Sequence, residues 1–136
     1  MYDITPNLSE GENVIGVQLG NGWYNNQSTA VWFFDKASWR NRPAFIMQVR
    51  VEYADGSIET ISTDSSWVTT DSPVIFNSIY TAEHYDARQE IEGWNTSGID
   101  VSQWQNAKEV SAPTQLIEAQ LTVPVKEIVR HNASRF

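Results

Sequence analysis

Every second residue from Phe45 to Tyr53 is apolar, so Phe45, Met47, Val49, Val51 and Tyr53 fall on one side of the chain and Gln48, Arg50 and Glu52 on the other. Only a strand collects side chains of that period on one face; a helix would scatter them around its axis. The segment Ala44 to Tyr53 is therefore expected to be a strand with one covered face and one wet face. Ala54-Asp55-Gly56-Ser57 follows, and the Asp-Gly pair supplies the positive φ angles of a tight hairpin turn. The return strand is Ile58 to Thr63. A two-residue turn would set Tyr53 opposite Ile58 and Glu52 opposite Glu59, a like-charge pair that Arg50 relieves from the diagonal position. That register also puts Ile61 on the polar face with Glu59, and a bulge is the alternative.

The second constraint is the stretch Asn13 to Tyr24, NVIGVQLGNGWY. Ile15, Val17 and Leu19 share one face of a buried strand expected over Val14 to Leu19, with Val14, Gly16 and Gln18 on the other. A glycine in mid-strand marks a bulge or a place where a neighbour packs on the main chain. Gly20, Asn21 and Gly22 then allow a sharp reversal that presents Trp23 and Tyr24 at the rim of a sheet.

The remaining segments repeat this style. Met1 to Thr5 reads as the end of a strand turned by Pro6 and Asn7, with Asp3 or Thr5 as cap. Asn25 to Arg42 has no period and holds Trp32, Phe33, Phe34 and Trp39. Its aromatics either fold back over the core or stand as a platform for sugar rings, whose C–H faces suit aromatic planes. Asp64 to Thr70 reads as a turn and short strand, Pro73 to Tyr80 as another, and Glu83 to Ile91 as a third with His84, Asp86 and Arg88 on one face. Asp100 to Trp104 is expected to form one helical turn capped by Asp100 or Ser102, and Leu116 to Ile128 a last alternating strand broken by Pro124. About seven short strands, Gly/Asp/Pro turns and no long amphipathic helix point to an all-β, antiparallel β-sandwich.

At 136 residues the chain reads as one domain, able to bury roughly two-thirds of its unfolded surface. A net charge of −8, from 17 acidic and 9 basic residues, repels phosphate backbones and anionic lipid, which disfavours nucleic-acid and membrane partners. The chain has no cysteine, so disulfides, thiolate nucleophiles and cysteine-held metals are excluded.

GENVIGVQLGNGWY, RPAFIMQVRVEYADGS, TDSSWVT, AEHYDARQEIEGWNTSGIDVSQW and VPVKEI occur in that order. Together they resemble the N-terminal β-sandwich domain of bacterial α-L-rhamnosidases, glycoside hydrolase family 78, over nearly the whole chain. The resemblance implies a jelly-roll-like, carbohydrate-binding-module-like sandwich spanning residues 1–136. It also implies a non-catalytic accessory role, because the family's acid and base lie in a separate helical-barrel domain that is not in this chain. That role is either architectural, against neighbouring domains, or the binding of rhamnose-containing glycans. Members carry further strands upstream, so by that comparison the sandwich is truncated at its N-terminal side. The Asn13 to Leu19 edge is then expected to self-associate or to leave a groove.

The candidate carbohydrate-binding residues are Asn21, Trp23, Tyr24, Trp39, Glu83, Asp86 and Arg88. Asp86 and Arg88, with His84, form the densest charged group and are expected to pair within the folded domain. Some members bind rhamnose with the help of calcium, but that ion takes about six to eight oxygens, and no D-x-D-x-D-G run is present. Hydrolysis would need two carboxylates about 5–9.5 Å apart in a cleft. Glu83, Asp86, Glu90 and Glu92 offer the carboxylates, but nothing in the sequence builds the cleft. Members also carry Gly where Ala82 stands; if that glycine serves a positive φ, the turn into the strand differs here.

Overall fold

The computed structural model describes residues 2–29, 32–116, 118, 121–123, 126–132 and 134. The fold is all-β and antiparallel. Among the described residues six strands form three two-stranded ladders: β1 (Gln48–Glu52) with β2 (Ile58–Ser62), β3 (Val68–Thr69) with β6 (Gln105–Asn106), and β4 (Val74–Ser78) with β5 (Ala82–Tyr85). The only helical pieces among the described residues are 3-10 turns at Thr5–Asn7, Phe34–Lys36 and Ala87–Gln89. No helix of the described residues is long and apolar enough to cross a membrane.

The alternation around β1 survives in the structure, with Val49 and Val51 half-buried while Gln48, Arg50 and Glu52 are exposed. The hairpin register differs from the two-residue expectation by one step. Glu52 pairs with Ile58 and Val51 with Glu59. The cause is a wider turn: Tyr53 N–H donates to the Ser57 carbonyl at 2.9 Å, Gly56 N–H donates to the Tyr53 carbonyl at 2.9 Å, and Gly56 takes φ +84°. One left-handed residue behind a tight turn is the usual way to fit a bulge into a hairpin. The shift separates Glu52 from Glu59 and brings Ile61 directly opposite Val49. Glu59 instead accepts a 2.5 Å hydrogen bond from the Tyr53 hydroxyl, and Arg50 pairs with Glu52 at 3.0 Å.

β3 finds a partner far down the chain. Ala107 N–H donates to the Trp67 carbonyl at 2.7 Å, and Asn106 Nδ2 donates to the Ser65 carbonyl at 2.9 Å. Trp67 meets Phe45 with ring centroids 6.0 Å apart, which ties this ladder to the lead-in of β1. Asp100 caps the turn before β6 by accepting from Ser102 N–H at 2.9 Å, as its position in the sequence suggests.

Four expected strands differ in the structure. Residues 2–4 carry no strand; Asp3 accepts from Thr5 N–H at 3.0 Å and feeds the 3-10 turn directly. Val14 to Leu19 has no ladder partner, and no backbone group in it makes a hydrogen bond among the described residues. Its anchors are side-chain contacts instead. A Cβ added at Gly16 would overlap the Trp94 ring and come within 2.9 Å of Asn95 Cβ, so the mid-stretch glycine admits the close neighbour that its position implied. The strand expected over Glu83 to Ile91 begins at Ala82 and stops at Tyr85. The last expected strand, Leu116 to Ile128, lies partly outside the described residues; those of its residues that are described carry no strand.

No apolar side chain among the described residues is fully buried. The chain exposes 12545 Å², against about 7,200 Å² for a compact monomer of this mass. The apolar side chains of the ladders are thus half-buried, as at Val49, Val51, Val74 and Phe76, or exposed.

Candidate functional site

The densest arrangement of rings and amides lies where the Gly20–Asn26 turn meets the end of the β4–β5 hairpin. Asn21 and Asn77 hold the two together in both directions. Asn21 N–H donates to Asn77 Oδ1 at 2.8 Å, and Asn21 Nδ2 donates to the Asn77 carbonyl at 3.0 Å. Asn25 Nδ2 then donates to Asn21 Oδ1 at 2.6 Å. Gly22 takes φ +50°, which lets the chain double back so that Asn25 N–H donates to the Asn21 carbonyl at 3.0 Å. Asn25 and Asn26 are the buried residues of the described chain, Asn26 being only 1% exposed.

Four rings line the rim of this turn. Trp23 meets Phe34 edge-to-face at 5.5 Å and Tyr80 at 6.0 Å, and Phe34 meets Trp39 at 6.1 Å. Such contacts fix ring orientation and contribute about 0.5–1.5 kcal/mol each beyond burial. The cluster is not sealed: Trp23, Trp39 and Tyr80 are 58%, 49% and 45% exposed. Three buried polar atoms of the same segment have no partner, namely Asn26 Nδ2, Asp35 Oδ1 and Arg40 Nε. Trp32 and Phe33 take φ +57° and +52°, a conformation costing roughly 1–2 kcal/mol for each non-glycine residue. Strain of this kind gathers in loops that hold a particular presentation of side chains.

The seven predicted residues separate. Asn21, Trp23 and Trp39 join the turn cluster. Tyr24 sits beside it, its carbonyl accepting from Asn41 N–H at 3.3 Å. Glu83 stands opposite Asn77 in the β4–β5 ladder. Asp86 and Arg88 lie at the other end of that hairpin, where Asp86 N–H donates to the Pro73 carbonyl at 2.8 Å, about 15 Å along the strands from the Tyr80 end. Phe34, one of the loop aromatics weighed as a sugar platform, joins them, and Asn77 and Tyr80 complete the cluster without having been singled out. Asn77 had a readable signal, a lone amide following the apolar run Val74-Ile75-Phe76; Tyr80 had none beyond its position at a strand end.

Asp86 and Arg88 do pair, though not by strand alternation. Asp86 accepts from Arg88 N–H at 3.1 Å as the cap of the 3-10 turn, and Arg88 grips it in bidentate fashion, Nε to Oδ1 at 2.8 Å and Nη2 to Oδ2 at 2.7 Å. A short acidic side chain that bonds a backbone N–H two residues on competes with the ladder, which explains why β5 ends at Tyr85. The hydrogen bonds from the Arg88 side chain, then from Gln89, then from Arg88 N–H hold the Asp86 carboxyl at about 2. His84 does not join them; its ring lies 5.3 Å from Phe76.

The residues present do not fit a calcium ion. Among the described residues no three Asp, Glu or His side chains gather, and both Asp86 oxygens and Asn21 Oδ1 already accept hydrogen bonds from the chain itself. Ala82 adopts φ +60°, so the turn into β5 takes left-handed geometry despite the Cβ. Two shallow hollows lie elsewhere, one lined by Thr69, Thr70, Asp71, Gln103 and Gln105 and its neighbour by Asp71, Ser72, Val74, Ile75 and Gln89.

Sequence comparison places the chain in a family. Residues 1–129 match the α-L-rhamnosidase N-terminal domain. The chain belongs to that family. An α-L-rhamnosidase of Formosa agariphila is 34% identical over 131 residues, covering 93% of this chain and 14% of the relative. One of Streptomyces avermitilis is 32% identical over 127 residues, covering 92% of this chain and 12% of the relative. The rhamnosidase domain thus spans about one-seventh or less of the curated relatives it matches. The solved structure of Streptomyces avermitilis α-L-rhamnosidase complexed with L-rhamnose superposes with a TM-score of 0.60 at 32% identity, covering 68% of this chain and 9% of that one.

Proposed function

We propose that this chain is a non-catalytic accessory domain of an α-L-rhamnosidase, and that its Trp23–Phe34–Trp39–Tyr80 rim binds rhamnose-containing carbohydrate. The carrying observation is the rim itself: mutually oriented, half-exposed rings beside a network of asparagine amides. A 6-deoxy sugar has a methyl group and axial C–H bonds for the rings and hydroxyls for the amides. Hydrolysis belongs to other parts of such an enzyme in this reading.

Calorimetric titration with L-rhamnose, paired with tryptophan fluorescence, tests it. Saturable heat and a Trp emission shift, both lost in Trp23→Ala, are expected, together with no turnover of an aryl α-L-rhamnoside. Absence of heat and shift at millimolar rhamnose overturns sugar binding, and turnover above a buffer blank overturns the non-catalytic role.

A purely architectural role is the second reading, favoured by the lack of any fully buried apolar side chain among the described residues. In it the three ladders close into a jelly-roll-like sandwich only when their open faces pack on neighbouring domains.

A further inference from the structure

The loop Asn25 to Arg42, which supplies Phe34 and Trp39 to the rim, holds three cations, Lys36, Arg40 and Arg42, against a single acid, Asp35. That balance is the reverse of the chain's, where 17 acidic residues face 9 basic ones. Arg50, Arg88 and Arg130 each hold a carboxylate, but among the described residues none of the three loop cations forms an ion pair, with Asp35 or with any other acid. They flank the rim's rings along the loop. Phe34 opens the 3-10 turn that ends at Lys36, and Arg40, next to Trp39, donates its N–H to the Ala37 carbonyl at 3.1 Å. Lys36 Nζ stands 5.6 Å from the centroid of the Phe33 ring, a cation–π contact that orients the ammonium. Phe33 and Trp32, the two left-handed residues of the loop, are themselves 67% and 82% exposed. Two open rings and three unpaired cations beside an aromatic rim offer a stacking face and a positive field in one place.

From this we infer that the glycan taken at the rim is acidic: beside the rhamnose lies a second sugar whose anionic group, a uronate carboxylate or a sulfate ester, is received by Lys36, Arg40 and Arg42 while Trp32 and Phe33 stack its ring. The inference rests on the sugar-binding reading of the rim. A guanidinium suits the task, since its planar fork meets an oxyanion with two parallel hydrogen bonds. The rest of the chain repels a free anion, so the group gains its hold only when tethered to a ring already at the rim, which raises its local concentration. On the hairpin side Glu83 stands opposite Asn77, so the acidic sugar lies over the loop and away from that carboxylate.

Calorimetric titration of the 136-residue chain with three probes on one skeleton tests it: a uronosyl-rhamnose disaccharide, the same compound reduced to its alcohol, and that alcohol as a sulfate ester, each beside L-rhamnose. At low salt at least one anionic probe should bind about tenfold more tightly than the neutral alcohol, and the tighter of the two names the group as carboxylate or sulfate. The gap should shrink as salt rises, a readout on the unsubstituted chain that needs no variant. In the double variant Lys36→Gln/Arg42→Gln, at two exposed positions, the gap should largely close while L-rhamnose affinity stays, which also shows that the variant is folded. Equal affinity for anionic and neutral probes, a gap that ignores salt, or one that survives the double variant overturns the inference and leaves rhamnose binding standing. No heat from any probe, L-rhamnose included, overturns both the inference and the reading of the rim on which it rests.

Discussion

The β1–β2 hairpin and the Val14–Leu19 stretch share the same period-two apolar signature, yet one becomes a ladder and the other has no backbone partner among the described residues. The hairpin carries its partner with it: residues 53–57 turn the chain at small entropic cost, and Gly56 supplies the left-handed residue the turn needs. The Val14–Leu19 stretch is followed by a reversal that leads into a ring cluster instead of a return strand, so its neighbours come from far away, Asn77 through Asn21 and Trp94 through Gly16. Alternation therefore reports which face of a segment is apolar, while pairing depends on what the adjoining turn delivers.

The sharpest way to break this comparison is Gly16→Leu. A side chain there meets Trp94, and overpacking of this size costs about 3 kcal/mol, read as a drop in the denaturant midpoint followed by tryptophan fluorescence. Cross-strand NMR contacts between Val49 and Ile61 should persist; their loss would mean that the two regions are not independent. Asn77→Ala comes next. It removes the hydrogen bond that Asn77 Oδ1 accepts from Asn21 N–H, worth about 1 kcal/mol, and should free the Trp23 ring from Tyr80, seen as altered ring-current shifts.

Ala82→Gly acts in the opposite direction. Ala82 sits at φ +60°, and relief of the left-handed cost should raise stability by about 1 kcal/mol. An unchanged midpoint would show that the β4–β5 turn relaxes elsewhere. The smallest effect belongs to Asp86. Its folded carboxyl, at about 2, lies below the ordinary 3.8. Its contribution is therefore complete above the ordinary value and lost as pH falls through the folded one. Asp86→Asn should flatten stability against pH in that window only, and weakly, because its Arg88 partner is largely in solvent.

How far the sequence is legible follows from the same contrast. The β1 alternation, the Asp-Gly hairpin, the Asp100 cap and the close approach at Gly16 are local or nearly local facts, each encoded within a few residues. The hairpin register was missed by one because the sequence does not state whether Gly56 closes a two-residue turn or a bulged one. The β3–β6 ladder joins Trp67 to Ala107, and no local pattern announces such a partner. In the candidate site Asn21, Trp23 and Trp39 were readable as polar and aromatic residues at a glycine turn. Phe34 was readable among the aromatics of the Asn25 to Arg42 loop and Asn77 as a lone amide after an apolar run, whereas Tyr80 was not, since it enters only where the β4–β5 hairpin end meets that distant turn. Asp86 and Arg88 were grouped with them on strand alternation, which the Asp86 cap cancels.

The Asn21–Asn77 bonds close a separation of 56 residues, and Gly16 waits for a contact later still. During synthesis at about 5–20 residues per second, the uncharged Val14–Leu19 stretch therefore leaves the ribosome several seconds before either anchor exists, while the β1–β2 hairpin closes within microseconds of emerging. For that interval the nascent chain displays its most strand-prone segment bare. Its yield in a cell should accordingly depend on translation speed and on chaperones that shelter apolar segments, more than on the stability of the finished fold.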